Sequence, residues 1–185
     1  MRTARPAVLA GDRLLLRRWR DEDREVFAAL NADPRVMAFF PCCLDRTGSD
    51  AMVDRIEAHF SEHGFGLWAV EVRDGASFIG FTGLTIPRFA APFMPCVEIG
   101  WRLGFEHWGR GYATEAARLA LDYGFGPAGL SEIVSFTALP NLRSRAVMER
   151  LGMRRDPADD FDHPSLRHGH ALRRHVLYRL GPAAR

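Results

Sequence analysis

The hydrophobic and polar positions of the chain follow two periods, which predict strands and helices in a mixed order. A period of two in β-branched and aromatic residues indicates a strand, and apolar residues three and four apart indicate a helix. Strands are predicted at 13–19, 67–72, 77–86, 95–103, 133–138 and 172–180, and helices at 21–32, 49–63, 112–125 and 141–151. This order predicts an α/β fold, with a mixed sheet covered by helices on both faces.

Two dipeptides mark the ends of predicted elements. Asp33-Pro34 is expected to stop the first helix, because proline removes a backbone donor and restricts the residue before it. Asp74-Gly75 separates two strand-like stretches and is typical of a hairpin turn.

The composition is that of one ordinary globular domain. With 185 residues and 47% hydrophobic content, the chain can form a sizeable core but is short for two domains. A single domain spanning 1–185 is therefore predicted. The formal net charge of +2 and the scattered arginines do not favour nucleic acid or an anionic membrane as a partner.

The cysteines and the N-terminal residues indicate the cellular compartment in which the protein is expected. The apolar run at 7–10 is far too short for a signal peptide or a membrane span. Cys42, Cys43 and Cys96 are few, odd in number and without zinc-ligand spacing. We therefore expect a cytoplasmic protein in which all three cysteines are buried free thiols.

The strongest chemical signal is a segment that runs from two glycines into an alanine-rich helix, Trp108-Gly109-Arg110-Gly111-Tyr112-Ala113-Thr114-Glu115-Ala116. Glycine lets the backbone turn sharply and approach an anion with no side chain in between. The first unpaired amides of the helix and the positive end of its dipole favour an anion at the same place, so a diphosphate site is expected. The segment is not a nucleoside-triphosphate P-loop, and Thr114 stands where the dinucleotide fingerprint has its third glycine.

This segment resembles the acetyl-coenzyme A loop of the GCN5-related N-acetyltransferase (GNAT) family, Gln/Arg-x-x-Gly-x-Gly/Ala. Gly111 and Ala113 match, whereas Trp108 stands where Gln or Arg is usual. With its tryptophan, the segment is similar to the loop of the ribosomal-protein-alanine acetyltransferase branch. The resemblance runs from about residue 9 to residue 180 and implies a mostly antiparallel, twisted sheet with a splayed central strand pair.

A second part of the resemblance is Asn141-Leu142-Arg143-Ser144, followed by a helix and Leu-Gly-Met. It implies that Asn141 caps the helix and reaches the pantetheine arm, with capping alone as the alternative. Many family members have a tyrosine seven residues after this Asn, which protonates the departing thiolate. Here that position is Met148, which cannot donate a proton. Ser144 lies one turn earlier and is the available donor, unless its hydroxyl only bonds to backbone.

The third part is the strand at 96–103, where a period of two places Glu98, Gly100 and Arg102 on one face. The resemblance implies that the pantetheine arm bonds to backbone near Trp101, Arg102 and Leu103. Glu98 is then the carboxylate nearest the thioester and accepts a proton from the acceptor amine, directly or through water. A same-face ion pair between Glu98 and Arg102 is the alternative.

A loop rich in aspartate and histidine at 159–175 is a further candidate site. Its composition allows a metal site, but it lacks ligand pairs on a predicted helix, so no metal is expected. The resemblance places this region beside the acceptor, with Asp162 and His163 as substrate contacts. A solvated polar loop explains it equally well.

Taken together, these residues predict an acetyl-CoA-dependent N-acetyltransferase that acts on a protein N-terminal amine or a small amine in a ternary complex. A non-catalytic coenzyme A sensor is the alternative, because Met148 replaces the usual tyrosine. A metal-dependent hydrolase is a more distant one. The protein is expected to be a monomer or a homodimer.

Overall fold

One sheet carries the helices in the part of the chain that the computed structural model describes, residues 8–182. The strands are β1 Val8–Ala10, β2 Leu14–Arg17, β3 Leu67–Val72, β4 Gly80–Thr85, β5 Glu98–Leu103, β6 Ile133–Ala138, β7 Arg154–Arg155, β8 Phe161–Asp162 and β9 Arg174–Leu180. The helices are α1 Asp23–Ala32, α2 Arg46–His63, α3 Tyr112–Phe125 and α4 Leu142–Arg150. None of the helices in this range has the length and apolar content needed to cross a membrane.

The strand order is β1-β2-β3-β4-β5-β6-β9-β7, with β8 also paired to β9. Every pairing is antiparallel except that of β5 with β6, which is parallel. Helices α1 and α2 pack through Phe27 and Val53 against the face that carries Ala69 and Phe81. Helix α3 packs on the other face, against Leu84 and Ile99 among others. The expected mixed, mostly antiparallel α/β sheet covered on both faces is confirmed.

Helix α3 lies close to the sheet because its inner face is made of very small residues. Ala116, Ala117 and Ala120 are fully buried. At Gly124, an added Cβ would stand 2.6 Å from Cδ1 of Ile133 in β6, so a larger residue would require the Ile133 side chain to shift. The tight packing fixes the direction of the helix, whose first residue, Tyr112, follows the glycine loop.

Strands β5 and β6 separate after a single bridge. Glu98 pairs with Val134, and the Val134 amide donates to the Val97 oxygen at 2.9 Å. The Ser135 hydroxyl then donates to the oxygen of Ile99 at 2.9 Å, and no further register pair joins the two strands. The expected splayed central pair is therefore present, and the gap between the strands opens toward Leu103.

Several predicted boundaries were wrong by a few residues. Helix α2 begins at Arg46 instead of Ser49, because Asp45 caps it by accepting from the Gly48 amide at 2.7 Å. The side chain of Ser49 is buried instead and accepts a hydrogen bond from Asn31 Nδ2 at 2.9 Å. The strands predicted at 13–19, 77–86, 95–103 and 172–180 are shorter than expected, and β1, β7 and β8 were missed because two or three residues show no period.

The prediction of buried cysteines was wrong at two positions. Cys42 and Cys43 are exposed, in the segment between α1 and α2, whereas Cys96 is partly buried. Burial raises the pKa of the Cys96 thiol to about 11, so this thiol is protonated at neutral pH. The absence of a disulfide among the three cysteines agrees with their expected free state.

Candidate active site

A cleft of about 880 Å³ opens where β5 and β6 separate, and elements from both faces of the sheet line it. The glycine loop and the start of α3 border one end, and α4 borders one side. The segment after α1 and the loop before β9 complete the lining. Most of the predicted site residues lie on it, including Glu98, Trp101, Asn141 and Ser144.

The glycine loop has the backbone geometry of an anion cradle. Gly109 and Gly111 have φ values of 75° and 79°, in the left-handed region, and Gly111 is the N-cap of α3. An added Cβ at Gly109 would meet no atom within 4 Å, so the space beside the loop is open. The first helical hydrogen bond runs from the Glu115 amide to the Gly111 oxygen at 3.1 Å, which leaves the amides before it without an intrahelical partner. These donors and the helix dipole favour a phosphate group here.

Arg13, just before β2, holds this loop in place. Its Nε lies 2.7 Å from Glu115 Oε2, its own amide donates to Glu115 Oε1, and its Nη1 donates to the Arg110 oxygen at 3.1 Å. The guanidinium also lies 4.9 Å from the centroid of the Tyr112 ring. Arg13 thus offsets the negative charge of Glu115 in the first turn of α3, where that charge would repel an incoming phosphate. No local pattern in the sequence predicts this contact.

Trp108 joins the loop to the end of β5. Its indole Nε1 donates to the Leu103 oxygen at 2.9 Å, and its ring lies 5.1 Å from that of Phe105. Arg143 from α4 stacks on the same indole at 4.7 Å. Trp108 therefore contacts β5, the glycine loop and α4 and holds them in one relative position.

The backbone of Trp101 faces the gap between β5 and β6. Alternate residues of a strand point their N–H and C=O groups to opposite neighbours, and the oxygens of Val97 and Ile99 both accept from β6. The peptide groups of Trp101 point the same way, beyond the last contact with β6. They form an open edge to which an extended chain with amide groups can bond.

Asn141 and Ser144 form a connected pair at the start of α4. Asn141 Oδ1 accepts from the Ser144 amide at 3.3 Å, and its Nδ2 donates to Thr137 Oγ1 at 2.8 Å and to Ser144 Oγ at 3.0 Å. The predicted helix cap is confirmed. Because Ser144 Oγ accepts from Asn141 and donates to no group within residues 8–182, its own proton is available to a ligand in the cleft.

Met148, one turn after Ser144, is 1% exposed. It packs in the core beneath the cleft. The thioether has no proton to donate, so the position of the usual family tyrosine is apolar here.

Glu98 faces the cleft with its carboxylate unpaired. No hydrogen bond or salt bridge to this carboxylate occurs among the described residues, and the alternative ion pair with Arg102 is absent there. Burial raises the pKa of Glu98 to about 8. A carboxyl group that titrates near neutral pH is suited to accept a proton from an amine.

The loop before β9 and the start of β9 itself each contribute one imidazole to the cleft. His163 and His175 both line it, with ring centroids 5.0 Å apart and Phe136 beside them. Burial lowers the pKa of both histidines, which favours neutral rings. Asp162, the other predicted substrate contact, lies outside the lining because its carboxylate binds Arg173 at 3.2 Å and Arg174 at 3.5 Å.

Comparison with known proteins connects this cleft to one family. The acetyltransferase (GNAT) domain matches residues 13–154, which is more than half of the chain. The chain belongs to the GNAT acetyltransferase family.

Relatives of this acetyltransferase occur in bacteria and fungi. The uncharacterized protein YkkB of Bacillus subtilis is 32% identical over 146 residues, which cover 78% of this chain and 84% of that protein. The FsC-acetyl coenzyme A-N(2)-transacetylase of Aspergillus fumigatus is 34% identical over 143 residues, covering 71% of this chain and 58% of the fungal protein. With relatives named as N-acetyltransferases and the family domain, the protein is an N-acetyltransferase.

Solved structures share the fold of this acetyltransferase over nearly its full length. An acetyltransferase from Agrobacterium tumefaciens has a TM-score of 0.76 at 27% identity, covering 95% of this chain and 94% of that one. The ribosomal-protein-S5-alanine acetyltransferase of Vibrio fischeri has a TM-score of 0.72 at 19% identity, covering 94% and 96%. At that identity, the second likeness shows the fold alone.

The structure of this acetyltransferase brings together most of the residues predicted from sequence, with two exceptions. Arg110 and Asp162 are absent from the cleft lining. Phe40, Ser135 and His175 line the cleft but were not predicted as site residues. Of these three, only His175 could have been found from the sequence, because it belongs to the segment rich in aspartate and histidine.

Within residues 8–182, no group of three or more His, Cys, Asp or Glu is arranged to hold a metal ion.

Proposed function

We propose that this protein transfers an acetyl group from acetyl-CoA to a primary amine, with both substrates bound in one cleft. The observation that carries the proposal is the shared opening of the glycine loop, the Trp101 edge, Ser144 and Glu98 onto the space between β5 and β6. These features match the parts of acetyl-CoA. The glycine loop suits the diphosphate, the open strand edge suits the amide-containing arm, and the acid and the base suit the thioester and the attacking amine.

The residues of the cleft offer hydrogen-bond donors and free volume that fit acetyl-CoA. Tyr112, Ala113 and Thr114 offer main-chain amides at the start of α3. An added Cβ would meet no atom within 4 Å at Gly109, and at Gly111 it would contact Arg13 Nη2 at 3.5 Å. Asn141 uses both Nδ2 protons within the protein but accepts only one hydrogen bond on Oδ1. We propose that this oxygen accepts from an amide of the pantetheine arm, and that Trp101 bonds to the same arm through its backbone.

When bound, the thioester supplies the acetyl group and a thiolate as the leaving group. Glu98 accepts the proton of the acceptor ammonium, directly or through water, because its raised pKa of about 8 is close to that of an α-amine, about 8. The amine nitrogen bonds to the acetyl carbon and the carbon–sulfur bond breaks. Ser144 donates its free hydroxyl proton to the departing sulfur and regains a proton from the acceptor nitrogen, directly or through water. Holding both substrates in one orientation contributes more than either group, since positioning is worth roughly 7 to 11 kcal/mol.

The acceptor amine belongs to a protein N-terminus or to a small molecule. The letters from Trp108 to Ala116 support a relation to the ribosomal-protein-alanine acetyltransferase branch, and the shared fold with the Vibrio fischeri enzyme is compatible with it. His163 and the rings around it are proposed as part of the acceptor wall. The cytoplasmic location and the monomer or homodimer state stay predictions.

The test is thiol release from acetyl-CoA with the purified protein and a panel of N-terminal peptides, aminoglycosides and polyamines. Release that depends on one class of amine, with the acetylated product identified by mass spectrometry, supports the proposal. Micromolar binding of acetyl-CoA with no release across the whole panel contradicts it and favours the sensor. The Gly111→Trp variant serves as the matched control because it should abolish both signals.

A further inference from the structure

Arg102 is a buried cation without a counter-ion. Its side chain leaves β5 toward α1 and is 8% exposed. Nη1 donates to Asn31 Oδ1 at 2.6 Å and lies 3.8 Å from the Met52 sulfur, whereas Nε is buried and has no hydrogen-bond partner. No carboxylate lies within 4.0 Å of this guanidinium in residues 8–182, and 1–7 and 183–185 contain neither Asp nor Glu.

Arg17 shows how this fold buries an arginine that has a structural role. It is 4% exposed, and it binds the carboxylates of Asp23 and Glu71, each at 2.7 Å. These partners raise the pKa of Arg17, whereas burial lowers that of Arg102 to about 10. Arg102 is therefore still charged at neutral pH. The rings of Phe40 and Phe81 lie 4.1 and 5.4 Å from its guanidinium carbon, but no carboxylate neutralises the charge. A neutral donor could make the hydrogen bond to Asn31 equally well, so this bond does not explain why a charged side chain is buried here.

The guanidinium faces the acetyltransferase cleft. Arg102, Phe40 and Met52 all line it, and the Phe40 ring lies 4.1 Å from the guanidinium carbon. Arg102 projects from the same face of β5 as Glu98, toward α1 and α2, whereas α3 covers the opposite face. In the proposed function, Arg102 thus stands on the acceptor side, on the same face of β5 as the group that receives the amine proton.

We propose that Arg102 binds a carboxylate of the acceptor, so that the substrate is an amine that also carries a carboxylate. The inference rests on the proposed function. A guanidinium binds a carboxylate through its N–H donors. Nη2 forms no hydrogen bond with residues 8–182 and, unlike the fully buried Nε, has accessible surface, so it is the donor open to a ligand in the cleft. A carboxylate there gives the buried charge the partner that the fold lacks.

The distance along β5 limits where this carboxylate lies. Residues 98 and 102 are four positions apart in one strand, which separates their Cα atoms by about 13 Å. An acceptor that reaches both ends therefore has several bonds between its amine and its carboxylate. A small amino acid with its amine at the end of a chain fits this length better than an α-amino acid that reacts at its own α-amine.

The experiment compares ω-amino acids of two to six carbons with their carboxamides, which differ only in the negative charge. For the longer chains, kcat/KM for the acid is expected to exceed that for the amide by about tenfold or more. Arg102→Met should bring the ratio of kcat/KM for the acid to that for the amide close to one, and Arg102→Lys should keep part of the preference.

Arg46→Met is the control variant. It removes an exposed charge from α2 and should leave the ratio as it is in the wild type. Peptides with Glu or Gln at the second and third positions test whether the carboxylate comes from a polypeptide.

A binding measurement covers the case in which turnover is absent. The acetylated products, in acid and amide form, are titrated by calorimetry into the protein saturated with coenzyme A. Tighter binding of the acid in the wild type but not in Arg102→Met supports the inference, and equal binding of both forms overturns it. Thermal unfolding is expected to show that Arg102→Met still folds, because the variant removes a buried charge that has no counter-ion. Efficient acetylation of neutral amines without any preference for acids contradicts the role of Arg102 but leaves the proposed function intact.

Discussion

The indole Nε1 of Trp108 donates to the main-chain oxygen of Leu103 at 2.9 Å. This bond fixes the glycine loop to the end of β5, so the proposed phosphate cradle and the proposed pantetheine edge keep one relative position. Trp108 is also the residue that departs from the wider family pattern. Its effect on the cosubstrate is therefore expected to be indirect, through the geometry of the loop.

Replacing Trp108 by Phe keeps an aromatic ring and removes the donor. Because one hydrogen bond contributes about 1 kcal/mol net, we expect acetyl-CoA to bind roughly fivefold more weakly in calorimetry. Trp19→Phe is the matched control, since the Trp19 indole donates to the Leu67 oxygen at 2.7 Å but does not line the cleft. Equal loss of affinity in both variants would show that Trp108 has no particular role in binding.

Gly111→Trp is expected to abolish acetyl-CoA binding, because the new side chain occupies the space beside the first amides of α3. Gly129→Trp is the control. Gly129 has a φ of 65° and lies outside the cleft, and an added Cβ there would meet no atom within 4 Å, whereas one at Gly111 would contact Arg13 Nη2 at 3.5 Å. Both variants place a side chain on left-handed backbone, at a cost of about 1–2 kcal/mol, so a difference between them isolates the site. Normal affinity in Gly111→Trp would remove the loop from the cofactor site.

Ser144→Ala is expected to lower kcat about 10²-fold, the lower end of the range for one general acid. Acetyl-CoA affinity should change little, since Asn141 Oδ1 still accepts from the residue 144 amide. Steady-state kinetics and calorimetry measure the two effects separately. Ser61→Ala is the matched control, because that hydroxyl donates to the Glu57 oxygen on α2, outside the cleft. A wild-type kcat in Ser144→Ala would assign proton donation to another group or to water.

Glu98→Gln tests the base through pH dependence. With a pKa of about 8, the carboxylate form that accepts a proton increases as pH rises, so kcat of the wild type should rise and level off above about 8. The acceptor for this test has a lysine-type amine with a pKa of about 10, so that the titrations of the amine and of Glu98 are separate. Glu98→Gln should lose this rise and about 10²-fold of kcat, without weaker acetyl-CoA binding. An unchanged pH profile would exclude Glu98 as the base.

The sequence located the elements and the cosubstrate side of the cleft because both depend on local signals. The bounds of β3, β6 and α3 were predicted without error, since each has a clear period and glycine, proline or polar residues at its ends. The glycine loop and the cap at Asn141 were predicted for the same reason. A positive φ at Gly111 and a side-chain cap at Asn141 are properties of a few consecutive residues.

The tertiary structure alone decided the acceptor side and the charges of the cleft. Glu98 and Arg102 look like an ion pair in a strand pattern, but α1 supplies Asn31, 71 positions away, as the partner of Arg102. The contact between Arg13 and Glu115 spans 102 positions. Such contacts depend on strand register and helix packing, which join residues that no local period relates. The sequence therefore determined what kind of site this chain has, and the packing determined which of its charges are left without an opposite charge.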